Sequence, residues 1–586
     1  AIVTNGGGAG VLATDRLIEE GGKLAPLSVE TIEKLNAVLP STWSHANPVD
    51  IIGDADADRY AKSVGVLMDD KDVDALLVAY CPTAIVSAED AAQGLVGALQ
   101  SHNAAAKNVF ACWMGEASLA AGRAVLAAAK VADFETPERA VRAFMYLVRY
   151  RQSQALLLET PSSAPVLPAD TDKARALVQA ALAEGREWLD PAECAAFFAC
   201  YGVPFARTEA VADPKAAAAR AAEIKGPVAL KIRSRDITHK SDVGGVTLDL
   251  DTPQAVETAA AEMLKRVARA KPNARLEGFI VQQMIQRPGA YELIAGVTTD
   301  ATFGPVILFG HGGTAVEVLR DKSLELPPLN TALARAQIER TRIAALLKGY
   351  RDRPAADIDG VVAVLMQLGR ITAEHAEITE IDINPLLCDT DGVIAVDGRV
   401  RIRAASAPAE ARLAIRPYPQ RLESEIRTAD GSVFAVRPIR PEDEPALRRF
   451  AEEVDAADLW HPVFALLREK SHETAARLSQ IDYDREMTML AWEDKRVAGL
   501  ARSAADPNFE QAEAAVIIRA DLRDKGLATQ LLQELLRAVT GQGARMAVLA
   551  YPARLTRVNA IAAELGFAAH ADASDPALIR AAKVLR

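Results

Sequence analysis

Val516-Ile-Ile-Arg519 reads as an apolar strand, and Arg523-Asp-Lys-Gly526-Leu-Ala528-Thr529 then opens a helix running from Thr529 to Thr540. A glycine between strand and helix lets successive backbone N–H groups surround a pyrophosphate, with the helix dipole behind them. Gly526 permits the close approach, and Arg523 and Lys525 add positive charge. Ile518, Arg519, Arg523, Asp524, Lys525, Gly526, Leu527, Ala528 and Thr529 are therefore the expected wall of an anionic cofactor site. The next strand is expected at Ala547-Val-Leu-Ala-Tyr551, followed by a helix to Ala563 and by Leu565-Gly566-Phe567. Together, residues 425–586 read as one unit of mixed strands and helices.

Working outward, the chain has 586 residues, enough for about four domains. Half of it is hydrophobic and a quarter charged, which excludes overall disorder. The 67 Lys and Arg against 79 Asp and Glu give a net charge of −12, so no nucleic-acid partner is expected. Cys81, Cys112, Cys194, Cys200 and Cys388 are scattered without a CxxC pair, which argues against a disulfide framework or a zinc module. No apolar run reaches the length of a membrane span; the Ala-rich stretch from Ala117 to Val131 is broken by Arg123 and Lys130. No membrane partner and a cytoplasmic location are expected. The sequence starts on Ala1-Ile-Val-Thr4, a strand with no lead-in, and reads as the C-terminal part of a longer chain.

Residues 1–158 alternate short apolar strands (Ile2–Thr4, Ala75–Tyr80, Val109–Trp113) with helices at Asp56 to Met68 and Ser87 to Leu99. That alternation predicts a doubly wound parallel sheet, and Asp56 and Ser87 are good helix caps. Gly6, Gly7 and Gly8 lie in Thr4-Asn-Gly-Gly-Gly-Ala-Gly10, between a strand and a helix expected at Val11 to Glu20. They suit either an anion-binding helix start or a tight turn. Asn47-Pro-Val-Asp50 reads as a structural turn. Thr160-Pro-Ser-Ser-Ala-Pro-Val-Leu-Pro168 reads as a linker, as do Ala405 to Glu410 and Arg416-Pro-Tyr-Pro419.

Between the linkers, residues 185–404 mix helices with long hairpins. Lys231, in Val228-Ala-Leu-Lys231-Ile, needs an anionic partner or a route to solvent from the strand end. His239, in Thr238-His-Lys-Ser-Asp-Val-Gly-Gly245, carries an imidazole nitrogen competent to accept a phosphoryl group, or is an ordinary loop histidine. Asn384 and Asp397 fall on two strands of a hairpin turning at Asp389–Gly392. Facing each other, they would suit Mg²⁺ bridging nucleotide phosphates; otherwise they line the wet face of an ordinary hairpin. Gly310-His-Gly-Gly313 offers a further glycine loop.

LKIRSRDITHKSDVGGV (230–246), YELIAGVTTDATFGPVILFGHGGTAVEV (291–318) and EIDINPLL…VIAVDGRVRI (380–402) together resemble the ATP-grasp half of ADP-forming acyl-CoA synthetases. AIVTNGGGAGVLATD…NPVDIIGDAD (1–56) resembles the flavodoxin-like subdomain of the same family. The resemblance implies that Lys231 touches ATP phosphates, that Gln283 lies near the adenine, and that Asn384 and Asp397 hold Mg²⁺. It also implies that His239 carries phosphate and that Gly6 to Gly10 open a helix aimed at that phosphate. His311 stands where the family usually has an apolar residue. The family's CoA-binding Rossmann subdomain and its Ser-His-Thr-Gly subdomain have no counterpart in these 586 residues.

The order around Gly526 resembles the GNAT acetyl-CoA-dependent N-acetyltransferases. Amine attack on a thioester needs a base, and Glu513, on the strand entering the loop, is the candidate, with Glu486 in reserve or Glu513 a plain surface glutamate. The Asn and Tyr that many GNAT enzymes carry before Leu-Gly-Phe are replaced by Leu555 and Ala562, so a tyrosine acid is not expected at that place. The whole arrangement is an α/β multidomain protein with flavodoxin-like, ATP-grasp and GNAT parts, and resembles the Pat-type bacterial protein-lysine acetyltransferases. That resemblance implies an acetyl-CoA-dependent lysine acetyltransferase, with ATP or ADP and Mg²⁺ in the ATP-grasp part. It also implies protein substrates such as AMP-forming acetyl-CoA synthetase, and a homo-oligomer. A bifunctional ADP-forming ligase or an acyl-CoA and nucleotide sensor are the other readings.

Overall fold

Alternate side chains of the strand Ala75–Tyr80 enter two different cores: Leu76, Val78 and Tyr80 pack with Tyr60 and Trp113, while Leu77 and Ala79 pack with Phe110 and Cys112. A strand buried on both faces belongs at the centre of a parallel sheet covered by helices on each side. The computed structural model describes residues 1–102, 107–159, 169–237, 240–313, 320–455, 459, 464, 466–572 and 575–585. These fall into two compact units, Ala1–Leu157 and Leu158–Arg586.

In the first unit, β1 (Ile2–Thr4), β2 (Val49–Asp50), β3 (Ala75–Tyr80), β4 (Asn108–Trp113) and β5 (Ala132–Phe134) form a parallel sheet in the order β2-β1-β3-β4-β5. The side chains of Asp56 and Ser87 accept from the backbone N–H groups of Arg59 and Asp90, capping helices Ala57–Asp69 and Ala88–Ser101. Such caps contribute about 1 kcal/mol each. The first helix starts at Gly7, not at Val11, and ends at Glu19. Glycine disfavours a helix interior, but in the first turn it costs little and lets the backbone come close to a ligand. The expected linker at 160–168 lies outside the described residues.

The second unit holds three sheets. β6 (Thr208–Val211), β7 (Val228–Arg233), β8 (Val246–Leu250) and β9 (Gly278–Gln283) form an antiparallel sheet in the order β6-β9-β7-β8. Helices Pro214–Glu223 and Pro253–Ala270 share its core through Ala217, Ala221, Val256, Ala260, Met263 and Val267. β10 (Tyr291–Asp300), β11 (Gly304–His311), β12 (Lys322–Glu325), β13 (Ile378–Asp389) and β14 (Gly392–Ala395) follow in the order β12-β11-β10-β13-β14, and β15 (Gly398–Ile402) pairs with β13. Helices Thr171–Ala183, Pro191–Cys200 and Ile358–Glu374 pack into the core of this larger sheet.

The third sheet contains β16 (Ser424–Arg427), β17 (Val433–Pro438), β18 (Glu486–Glu493), β19 (Arg496–Ala505), β20 (Gln511–Ile518), β21 (Met546–Pro552), β22 (Ala568–Ala571) and β23 (Leu578–Val584) in the order β16-β17-β18-β19-β20-β21-β23-β22. Arg519 falls just beyond β20, and the helix after the glycine loop runs Leu527–Gln542, starting two residues before the expected Thr529. Leu527, Leu531, Leu535 and Val539 of that helix pack on one face of the sheet with Ala512, Ala514 and Ile518. Leu447, Phe450, Ala475 and Leu478 of helices Glu444–Glu453 and His472–Ser479 pack on the other, with Ala515 and Ile517.

The expected second linker is docked rather than loose. The Arg412 guanidinium donates to the carbonyls of Ile378, Thr372 and His375, the last at 2.6 Å. Arg416 reaches Asp484 at 2.9 Å, and Arg440 lies 4.3 Å over the Tyr418 ring. Pro and Ala mark where regular structure stops, but the Arg and Tyr between them carry enough bonding capacity to attach the segment to both neighbours.

Candidate functional site

β20 and β21 are paired in parallel over Gln511↔Met546 to Ala514↔Leu549 and no further. Beyond that point β20 remains bonded to β19 and β21 to β23, so the two facing edges open like a V. A cavity of about 500 Å³ fills the opening, walled by Ala514 to Ile518, by Leu549 to Tyr551, and by Arg554 to Val558. Helix Leu527–Gln542 points its N-terminus at the same space: Ile518, Arg523, Asp524, Gly526, Leu527, Ala528 and Thr529 all line it.

That helix start has no capping side chain. Its first intrahelical bond is from Gln530 N–H to the Gly526 carbonyl, so the N–H groups of Leu527, Ala528 and Thr529 have no partner within the helix. Gly526 has φ +78°, and a Cβ there would meet no atom within 4 Å: it would project into open space. Asp524 also takes a positive φ of 67°, which turns the chain in front of the helix. Unsatisfied donors, a helix dipole and a clear approach fit a pyrophosphate. Two sequence-predicted residues lie off the cavity wall. Arg519 is 3% exposed and binds Asp521 at 2.6 Å and Glu493, so its side chain braces the strand end. Lys525 pairs with Asp430 at 3.1 Å. Arg554, missed by the sequence reading, lies on the cavity wall, and no described residue pairs with it.

Glu513 is exposed, opposite Ala504 and Val548 in the closed part of the sheet. It shares a face with Ala515 and Ile517, the next two residues of that face toward the opening. Glu486 Oε2 accepts from Arg502 at 2.8 Å. Tyr551, also missed, is 1% exposed, lines the cavity, and donates its hydroxyl proton to Asn559 Oδ1 at 3.1 Å. The pairing of Tyr551 with an Asn four residues beyond Leu555 is visible only once the strand and helix are packed.

A second cluster forms where the two sheets of residues 180–402 meet. Lys231 sits in β7 opposite Val246 and Ile280. Burial, and then the Lys231 ammonium, hold Lys240 below its ordinary range, against the opposing pull of Asp397. Burial pushes Asp382 up; Arg399 opposes this, while Glu380 and Asp397 add to it. Asp397 lies between β14 and β15 and not on a returning strand, and its backbone carbonyl accepts from Asn384 N–H at 3.2 Å. Asn384 Oδ1 accepts from Gly313 N–H at 2.9 Å, which ties the glycine loop to the hairpin. Only glycine fits at Gly312, where a Cβ would stand 2.3 Å from the Leu293 backbone. Asp382 and Asp397 act on each other electrostatically, but among the described residues no group of three or more His, Cys, Asp or Glu is placed to hold a metal ion, so Mg²⁺ here would have to draw most of its ligands from nucleotide phosphates and water. Gln283 ends β9 opposite Val228, about 10 Å along the strand from Ile280, the partner of Lys231. His239 lies outside the described residues.

In the first unit Gly6 is the N-cap of the first helix, Gly7 and Gly8 form its first turn, and no side chain caps it. Asn5 is clamped to Cys81 by two bonds, its Nδ2 to the Cys81 carbonyl at 2.9 Å and Cys81 N–H to its Oδ1 at 2.7 Å. The glycine turn is thereby held at the carboxyl ends of β1 and β3, where open α/β sheets bind ligands.

Three family descriptions match the chain: Ligase-CoA domain at residues 1–152, ATP-grasp domain at 180–402, and Acetyltransferase (GNAT) family at 455–567. Acetate–CoA ligase [ADP-forming] I of Archaeoglobus fulgidus is 36% identical over 400 residues, covering 68% of this chain and 56% of the relative. Acetate–CoA ligase [ADP-forming] I subunit beta of Pyrococcus furiosus is 33% identical over 228 residues, covering 39% of this chain and 97% of that subunit. A solved chain of Ca. Korarchaeum cryptofilum dinucleotide-forming acetyl-coenzyme A synthetase 1, in complex with coenzyme A, Ca-AMPCP and HgCl+, is 37% identical with a TM-score of 0.37. It covers 39% of this chain and 100% of its own. The chain spans a little over half the length of the single-chain relatives such as the A. fulgidus ligase. On this evidence the chain belongs to the ADP-forming acetate–CoA ligase family and carries, in addition, a C-terminal GNAT acetyltransferase domain.

Proposed function

We propose that the chain is an acetyl-CoA-dependent N-acetyltransferase that modifies lysine Nε groups of proteins, with the ligase-like part as a nucleotide-binding regulatory region. The observation that carries this reading is the open V between β20 and β21, joined to the uncapped helix start at Gly526. Together they offer a slot for the acyl-pantetheine arm and a nest for the pyrophosphate. In this reading acetyl-CoA supplies an activated acetyl group. Glu513 takes the ammonium proton of the substrate lysine, and Leu527, Ala528 and Thr529 donate backbone hydrogen bonds to phosphate oxygens. Metabolic enzymes with reactive lysines, AMP-forming acetyl-CoA synthetase among them, are the proposed substrates, and the protein would act in the cytoplasm as a homo-oligomer.

A second reading, an ADP-forming acyl-CoA ligase with an attached GNAT domain, is supported by the gathering of Lys231, Lys240, Asp382 and Asp397 in the ATP-grasp domain. There His239 would relay phosphate. Two assays on the 586-residue chain separate them: acetyl-lysine mass spectrometry on a lysate incubated with acetyl-CoA, and ADP release from ATP, acetate and CoA. Acetyl-lysine formation without ADP release supports the first reading; ADP release without acetyl-lysine formation overturns it.

A further inference from the structure

Helix Ile358–Glu374 has two packed faces. Val361, Leu365 and Leu368 enter the core of the larger sheet, whereas Gly360, Ala363 and Gln367, spaced three and four residues apart, run along a cleft of about 330 Å³. The other wall comes from Val203 and Pro204, just after helix Pro191–Cys200, and from Asp391, Gly392 and Val393 at the turn between β13 and β14. None of Lys231, Lys240, Asp382, Asn384 and Asp397 lines this cleft, and it shares no residue with the cavity between β20 and β21.

Its two ends differ in chemistry. At one end stands Asp357, whose Oδ1 caps the helix by accepting from Gly360 N–H at 2.9 Å. Its Oδ2 lies 3.7 Å from the place a Cβ would take on Gly392, the residue after Asp391, so both carboxylates border the same end. Neither forms an ion pair with a described residue, and among the described residues no Lys, Arg or His lines the cleft. Arg287 binds this turn through Asp389 Oδ1 and the Gly392 carbonyl, both at 3.0 Å, and so serves Asp389 instead. At the other end Gln367 is 7% exposed, yet its Oε1 accepts from no described residue. A buried amide oxygen without a donor is costly to keep, and on the wall of a cleft a ligand can supply that donor.

Between the ends the wall is apolar, with Val203, Val364 and Val393 all buried. Ten residues of helix separate Gln367 from Asp357, about 15 Å of rise, and the lean of helical side chains toward the N-terminus shortens the gap to about 10 Å. No single nitrogen can reach both ends.

We infer that this cleft binds a small alkylammonium ion whose chain carries a neutral hydrogen-bond donor at its far end, as an amino alcohol does. The ammonium meets Asp357 and Asp391, the methylene chain lies against the valines, and the far donor reaches Gln367 Oε1. A second charge at the Gln367 end is disfavoured, because an amide does not compensate a buried cation.

The test titrates the full chain with 5-aminopentan-1-ol, n-pentylammonium and 1-pentanol, followed by ligand-observed NMR, so that each end of the ligand is removed in turn. Wild type is expected to bind the amino alcohol about threefold to tenfold more tightly than n-pentylammonium, and about tenfold or more above 1-pentanol. Gln367→Met keeps the reach of the side chain without the amide, and is expected to erase the first preference and leave the second. Asp391→Asn, in an exposed turn, and Asp357→Asn, which still caps a helix, are each expected to reduce the second preference about threefold or more and leave the first. The ligand comparison on wild type stands whether or not a variant folds. Three results overturn the inference: 1-pentanol bound as tightly as the amino alcohol by wild type, an unchanged first preference in a folded Gln367→Met, or no binding of the amino alcohol by wild type at about 10 mM.

Discussion

Arg502 Nη2 donates to Glu486 Oε2 at 2.8 Å across β18 and β19, from a side chain that is 11% exposed. A carboxylate committed to a buried guanidinium is poorly placed to collect a proton from substrate. Glu513, two strands further toward the cavity on β20, is exposed. Glu513→Gln should therefore lower lysine acetylation by roughly 10²–10⁴-fold at neutral pH with acetyl-CoA affinity unchanged, and partly recover at high pH. Glu486→Gln should act on stability, costing about 1–3 kcal/mol in urea unfolding because Arg502 loses its anionic partner. A pH–rate comparison of the two variants, with parallel denaturation curves, reads both effects.

Gly526→Glu should abolish CoA binding while leaving the fold intact. A Cβ there meets no atom within 4 Å, so the side chain starts from open space beside the helix N-terminus. The φ of +78° adds a backbone cost of about 1–2 kcal/mol for any L side chain. Calorimetry with CoA and a thermal melt on the same sample test this; tight CoA binding by the variant would sink the pyrophosphate assignment.

Arg412→Ala should destabilise the second unit by about 1–3 kcal/mol, since it strips the carbonyls of Thr372, His375 and Ile378 of a donor. Arg412→Lys should recover little, because a single ammonium cannot serve carbonyls spread around a planar fork. Denaturant titration of the three proteins gives the comparison.

Acid should weaken the ATP-grasp domain before carboxylates begin to protonate. Tyr201 donates to Glu374 Oε2 at 2.7 Å, so its oxygen accepts from His375 Nε2–H at 2.7 Å, and the buried Nδ1 has no partner. A second proton on that ring would enter an apolar place, and burial accordingly holds His375 below its usual value of 6.5. In the unfolded chain the ring takes its proton near 6.5. The contribution is thus complete above that pH and is lost as pH falls below it, by at most about 1.4 kcal/mol per pH unit. Melting temperature from pH 7.5 to 5 should fall for wild type and fall less for His375→Gln.

Lys231→Met should weaken Mg-ADP binding while lysine acetylation stays within a few-fold of wild type, as nucleotide contacts in the ATP-grasp domain play no part in amine attack on a thioester held at the GNAT domain. His239→Ala should remove any phosphate label transferred from ATP with the same small effect on acetylation. Labelling with γ-³²P-ATP and acetyl-lysine detection on one preparation separates the two; a parallel loss would mean that the halves are chemically coupled.

Strand–helix alternation, the caps at Asp56 and Ser87, and the glycine turn before residue 527 were legible in the sequence because each rests on local chemistry: period, a side-chain acceptor, a missing Cβ. The family follows from motifs in order, for the same reason. Tertiary structure alone decided the rest. Whether Arg519 faces cofactor or braces a strand depends on Glu493 arriving from β18. Whether Tyr551 is a core ring or a cavity wall depends on β20 and β21 parting after Ala514. Whether residues 405–419 link or dock depends on carbonyls supplied by the end of helix Ile358–Glu374 and the start of β13. In each case the deciding partner is distant along the chain, and a local pattern carries no record of which distant group packing will bring to it.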